Sequence, residues 1–227
     1  MKEKTLMKTA CFIPIKARSE RVHGKNFRLL NGKRLFEYIM EHCLEADCFD
    51  DVYVDTNSDD VKEFAQKIGI GIIERLDFLA SNDANGNDLL IHHQSIHPTY
   101  DIYFQMFATA PFLKVESIRN CANLLKESNE YDSCFTAIKQ YGWFWLNKQP
   151  VNYQPNILPR SQDAEPMIEE TTGMYGIRKD SLLRYKSRIG RKPAMFFVDK
   201  FEAVDIDTED DLKLAEIIGK EIWHLEG

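Results

Sequence analysis

From residue 11 onward, short apolar runs alternate with segments whose apolar residues return every three or four positions, which predicts strands interleaved with helices. Residues 11–15 (CFIPI) read as a first buried strand, and Asn31-Gly32 as a turn. Over 35–46, Leu35, Ile39, Met40, Cys43 and Leu44 share one helical face. Residues 51–56 (DVYVDT) predict a second strand that opens into Asn57-Ser58-Asp59-Asp60. Ser58 or Asp59 then caps a helix over 61–68, which stops at Gly69. A third strand falls within 70–76, completing the rhythm of a parallel sheet with crossover helices.

Residues 79–88 are small and polar, a loop able to meet a ligand through backbone and amide groups. Asp88 is the expected cap of a helix over 89–96, ended by Pro98. A strand over 101–107, a tight Ala108-Thr109-Ala110-Pro111 segment, a helix over 115–125 and a strand over 133–138 continue the pattern. The character changes at 141–146 (YGWFWL), followed by an Asn-, Gln- and Pro-rich stretch to residue 159, which reads as an excursion from the main sheet. Such an aromatic cluster lines a pocket, packs under its own loop or buries itself in a second subunit. The chain returns with a strand over 172–177, a hairpin or edge strand within 196–206, and a last amphipathic helix over 212–223. Thr208 and Asp211 fit a capping pattern at the start of that helix. The expected class is α/β, one domain over 1–227 with an excursion at about 141–172.

Composition narrows the function. A net charge of −7 disfavours a general nucleic-acid or membrane-surface binder, because phosphate backbones require a basic face. The five cysteines are scattered without a CxxC pair, the usage expected of reduced thiols in a cytoplasm. The N-terminus has no sustained apolar stretch, so no signal peptide is expected, and no apolar run approaches a membrane span.

Against that acidic background, Lys16, Arg18, Arg21 and Lys25 crowd the loop after the first strand, with Glu20 as the one acid among them. Ligands of open α/β sheets sit beyond the carboxyl ends of strands, and Lys and Arg are the usual partners of a triphosphate. A solvated basic loop is the competing reading on composition alone. Asp205 and Asp207, two apart on an extended segment, point to one face. Like charges held together there are costly unless a cation bridges them, and Mg²⁺ takes a few carboxylates plus phosphate oxygens. The competing reading, that Asp207 merely begins the last helix and Asp205 is exposed, leads only without the basic loop. His93 and His97, four apart on a predicted helix, read more readily as solvated or capping residues than as a metal pair. No GxGxxG, P-loop, GxSxG or HExxH motif is present.

With both sites in hand, nearly the whole chain resembles the cytidylyltransferases that activate acidic sugars, the CMP-sialic acid synthetases and their sister CMP-Kdo synthetases. In a frame aligned on Lys25-Asn26, the family's basic loop corresponds to Lys16, Ser19, Arg21, Lys25 and Asn26. The family's leading Arg is Lys16 in that frame, with Arg18 the other candidate for its role. Arg75 followed by Leu79-Ala80-Ser81 is similar to a nucleotide-binding stretch, and Ala108-Thr109-Ala110-Pro111 to a Q-P-T-S-P segment. There Phe107 stands where the family has Gln, with Gln105 two residues earlier. Pro159-Arg160-Ser161-Gln162 resembles a sugar-side segment, and 204–212 (VDIDTEDDL) resembles the family's ending, the most specific match. A second family Arg is Glu170 here, which leaves the identity of the acid sugar open.

The resemblance implies a Rossmann-like, three-layer nucleotide-diphospho-sugar transferase fold. It implies transfer of CMP from CTP to a nonulosonic, sialic-type sugar with release of pyrophosphate. Lys16, Arg18, Arg21 and Lys25 would hold the triphosphate, and Ser19, Asn26, Arg75 and Ser81 the nucleotide. Gln105 and Arg160 would face the acceptor, and Asp205 and Asp207 would hold Mg²⁺. A cytoplasmic homodimer paired through the excursion is expected on the same ground. A nucleotidyltransferase with another sugar or small acid as acceptor, or a non-catalytic nucleotide-binding protein, are the alternatives.

Overall fold

The computed structural model describes residues 7–18, 22–81 and 83–224. The chain opens with β1 (Thr9–Ile15), whose alternation sends Cys11, Ile13 and Ile15 to one face of the sheet and Ala10 and Phe12 to the other. After the basic loop, β2 (Leu29–Leu30) and β3 (Lys33–Arg34) form a minimal hairpin. Its turn is Asn31-Gly32, with φ of 48° and 81°; left-handed backbone at both positions is what a two-residue hairpin asks of Asn-Gly. Helix α1 (Leu35–Glu45) leads to β4 (Asp51–Thr56), α2 (Asp59–Ile68) and β5 (Gly71–Glu74), close to the predicted spans. Ser58 is the cap of α2, its hydroxyl accepting from Val61 N, and Gly69 ends it at φ 81°.

A one-turn α3 (Asp77–Ala80) precedes α4 (Gly86–Ile96) and β6 (Ile102–Met106). Helix α4 begins three residues earlier than expected. Asn85 is its N-cap, and Asp88 is the reciprocal member of the capping box, its carboxylate accepting from Asn85 N. Helix α5 (Val115–Glu127) and β7 (Ser133–Gln140) follow, then a second minimal hairpin, β8 (Trp145–Leu146) with β9 (Gln149–Pro150). Strand β10 (Met167–Arg178) is twelve residues long, so the sheet resumes inside the span expected for the excursion. Helix α6 (Lys179–Tyr185), β11 (Pro193–Phe197) and α7 (Glu209–His224) complete the chain. The edge strand therefore ends before 198–206, and Asp205 and Asp207 lie on a strand-free connection into α7. Their face cannot be argued from strand alternation.

The seven-stranded sheet runs β11-β7-β10-β6-β1-β4-β5, parallel except for β10, which is antiparallel to both neighbours. Helices α1, α2 and α5 bury Phe36, Val61 and Ile118 against one face; α4 and α6 bury Leu90 and Leu182 against the other. This is a three-layer α/β architecture. The chain leaves β1 toward β4 on one side and returns to β6 on the other, so the order reverses at β1, where such sheets open a crevice. The five cysteines are buried and unpaired. Among the described residues no helix is long and apolar enough to cross a membrane.

Candidate active site

A cleft of about 550 Å³ opens at the carboxyl ends of β1, β5 and β6, with Lys16, Lys25, Asn26, Arg75, Ser81 and Thr109 among its lining residues. Five of these six belong to the residues singled out from the sequence. Ser19 and Arg21 lie outside the described residues. Arg18 is exposed and borders a smaller neighbouring cleft with Lys16, Asn57 and Ala80.

The basic loop is fastened at both ends. Ala17 N donates to Asn57 Oδ1 at 2.9 Å, fixing the loop to the end of β4. Asn26, buried, donates from Nδ2 to the Lys16 carbonyl at 3.3 Å and so closes the loop on itself. Across the cleft edge, Lys25 Nζ donates to Asp207 Oδ1 at 2.9 Å, with the Lys25 side chain only 12% exposed. The Asp205–Asp207 stretch is also pinned by Ile206 N, which donates to the Thr109 carbonyl at 2.9 Å.

Asp205 faces inward. Burial pushes its carboxyl pKa up, the Thr109 hydroxyl opposes the rise and the charge on Asp207 adds to it. Its Oδ1 is buried without a hydrogen-bond partner. An orphaned carboxylate oxygen beside a second carboxylate is a costly arrangement for a metal-free protein and a fitting one for a hard divalent cation. Among the described residues no group of three His, Cys, Asp or Glu side chains gathers to hold a metal. A cation here would complete its shell with phosphate oxygens and water, which suits Mg²⁺ better than a protein-enclosed ion.

Arg75 is held by partners that sequence reading missed. Its Nε donates to Asp55 Oδ1 at 2.9 Å and its Nη2 to the Asp55 carbonyl at 3.0 Å, while His93 Nε2 meets Asp55 Oδ2 at 2.6 Å. Burial works to raise the Asp55 carboxyl pKa, but the His93 hydrogen bond and the Arg75 charge outweigh it and hold it below the usual range. Burial lowers the His93 pKa against the pull of Asp55. The imidazole is therefore neutral near pH 7 and donates from Nε2. Its ring stacks on Phe12 at 4.6 Å between centroids. The expectation of a solvated or capping His93 is thus corrected, because Asp55 supplies a buried partner. His97 is the C-cap residue of α4. The signal available in the sequence was an acid ending an apolar strand, Val52-Tyr53-Val54-Asp55.

Ser81 lines the cleft, and its hydroxyl donates to the Phe78 carbonyl at 2.8 Å. Gln105 is fully buried on β6; its Nε2 donates to the Gly86 carbonyl at 3.0 Å. Arg160 is exposed on the excursion and pairs with Asp163 at 2.5 Å, and it is not among the residues that line the cleft. Glu170 accepts from the Tyr175 hydroxyl at 2.9 Å.

The sequence profile described as cytidylyltransferase matches residues 10–221. An N-acylneuraminate cytidylyltransferase A of Danio rerio is 22% identical over 200 residues, 85% of this chain and 46% of that protein. A pseudaminic acid cytidylyltransferase of Campylobacter jejuni is 25% identical over 230 residues, 94% of this chain and 97% of that one. The chain spans about half the length of the N-acylneuraminate relatives it matches. The solved structure of a CMP:2-keto-3-deoxy-manno-octonic acid synthetase complexed with CTP shares the fold, with TM-score 0.68 and 19% identity over 95% of this chain and 100% of that chain.

Proposed function

The chain belongs to the cytidylyltransferase family, and from that premise we propose that it transfers CMP from CTP to an acidic sugar of the sialic, pseudaminic or 2-keto-3-deoxy-manno-octonic type. A hydroxyl oxygen of the acceptor attacks the α-phosphorus. The bond from that phosphorus to the bridging oxygen breaks, pyrophosphate leaves with the electron pair, and the hydroxyl proton is released. Catalysis of this kind is mostly alignment and charge neutralisation. Lys16, Lys25 and Arg18 face the triphosphate, Asn26, Arg75 and Ser81 position the nucleoside, and Asp205 and Asp207 would hold Mg²⁺. A divalent ion bound there supplies neutralisation of the charge that builds on the phosphate. Lys25, held by Asp207, keeps a cation at the same edge, and the Oδ1 of Asp205 is shielded from bulk water. Two copies pair through the excursion.

The observation that carries this reading is the Lys25–Asp207 contact, which joins the basic loop to the aspartate pair beside a cleft at the sheet's crossover point. The test is pyrophosphate release from each nucleoside triphosphate with Mg²⁺ and N-acetylneuraminic, pseudaminic or 2-keto-3-deoxy-manno-octonic acid. Release with CTP and one of these acids, at least tenfold above UTP, is expected. Asp207→Asn should lower turnover by roughly a hundredfold or more while the circular dichroism spectrum is unchanged. No release with any acid, or wild-type rates in the Asp207 variant at saturating Mg²⁺, overturns the assignment.

A further inference from the structure

The corner between the first turn of α4, the end of β6 and the loop after α6 holds a guanidinium that the reading above does not use. Arg188 lies 3.7 Å from the Tyr175 ring centroid and 5.6 Å from that of Phe107, a residue lining the cleft. Its backbone N donates to Asn87 Oδ1 at 2.9 Å, tying this loop to the start of α4. No carboxylate among the described residues pairs with it. Beside it, Gln105 is fully buried with Oε1 lacking any partner. Gly86, which also lines the cleft, keeps the corner open. A Cβ there would stand 2.6 Å from Arg188 Nη1 and 3.1 Å from Gln105 Oε1.

These groups are complementary in kind. Aromatic faces cover one side of the guanidinium and leave its planar fork for an anion. The Gln105 carbonyl oxygen accepts only, so it calls for a hydroxyl or amide N–H on the same ligand. A carboxylate with a hydroxyl or amide N–H within a few ångströms of it satisfies both at once. We propose that Arg188 grips the carboxylate of the acceptor while Gln105 Oε1 accepts from a neighbouring donor of the same molecule. This rests on the acidic-sugar reading and deepens it.

The test compares the free acid that the wild type uses with its methyl ester, which keeps every hydroxyl and removes the charge. Wild type should prefer the acid. In Arg188→Ala the KM for the acid should rise about ten- to a hundredfold, the range for a charge-assisted hydrogen bond. The acid-over-ester preference should collapse and the KM for CTP should move less than about twofold. Arg188→Lys, which keeps the cation and loses the fork, should retain part of the preference and serves if the alanine variant does not fold. An acid-over-ester ratio in either variant equal to that of wild type overturns the proposal and leaves cytidylyl transfer standing. Silence of the wild type with all three acids overturns the acidic-sugar reading, and this proposal with it.

Discussion

Asp55 bears a disproportionate share of the site's order, because three hydrogen bonds from Arg75 and His93 converge on it in a region closed to water. Removing it leaves a buried guanidinium without a counter-charge, so Asp55→Ala should lose about 3–5 kcal/mol in urea denaturation. It should also raise the KM for CTP, since Arg75 lines the cleft. His93→Gln is the milder probe, at about 1–3 kcal/mol, and its signature is in the pH dependence. The folded pKa of His93 lies below its unfolded value, so the unfolded chain binds the extra proton and stability falls as pH drops below about 6.5. His42 and His97 are shifted in the same direction by burial and contribute to the same slope. The glutamine variant should therefore flatten, without abolishing, the stability lost between pH 7.5 and 5.5; an unchanged slope would remove His93 from this role. Arg75 and the acid ending an apolar strand were legible in the sequence, but their pairing with His93 was not, because the partners are separated by 20 and 38 positions and meet only when β4, β5 and α4 are assembled.

Helix α7 shows how an element's end can govern a site. The Thr208 hydroxyl accepts from Asp211 N at 3.2 Å. The Asp211 carboxylate accepts from Thr208 N at 2.7 Å, from the Thr208 hydroxyl at 2.8 Å and from Asp207 N at 3.1 Å. The cap thus holds the backbone of a proposed metal ligand. Asp211→Ala should cost about 1–2 kcal/mol, lower Tm by a few degrees and raise the half-saturating Mg²⁺ concentration several-fold. Lys213→Ala, on the exposed side of the same helix, serves as the control and should change neither. A shift in Tm alone would limit the cap to a structural role. This cap was readable, as were β1, α1, β4 and α2, because their spacing and stop signals agree. The start of β10 was not, since Met167 to Glu170 are exposed and carry two glutamates. The edge strand was misplaced because Pro193, its first residue, reads as a breaker and is tolerated at an edge. The basic loop was found by its composition and the aspartate pair by its two-residue spacing, although the segment that carries the pair is not a strand. Their meeting at Lys25 and Asp207 depends on α7 packing Leu212 and Ala215 against Leu30 and Leu35.

At the scale of the whole molecule, the unbalanced feature is the excursion between β7 and β10. It is internally wired: Asn152 accepts from Phe144 N at 2.8 Å and donates to the Gly142 and Glu165 carbonyls, and Trp143 Nε1 donates to the Pro159 carbonyl. Yet it leaves Trp145 58%, Leu146 64%, Ile157 68% and Leu158 57% exposed. Trp145 meets the Tyr153 ring at 6.3 Å between centroids, but the excursion still combines an ordered frame with an uncovered apolar surface, as an interface core does. Aromatic anchors commonly carry about 2 kcal/mol or more of such an interface. The double variant Trp145→Ser with Leu146→Ser should therefore weaken self-association by roughly a hundredfold or more in sedimentation velocity. Because the Asn152 hydrogen bonds do not involve either side chain, its circular dichroism should match the wild type. A wild type that sediments as a monomer at about 100 µM, far above the Kd of a standard-sized interface, would show that this surface does not pair two copies of the chain.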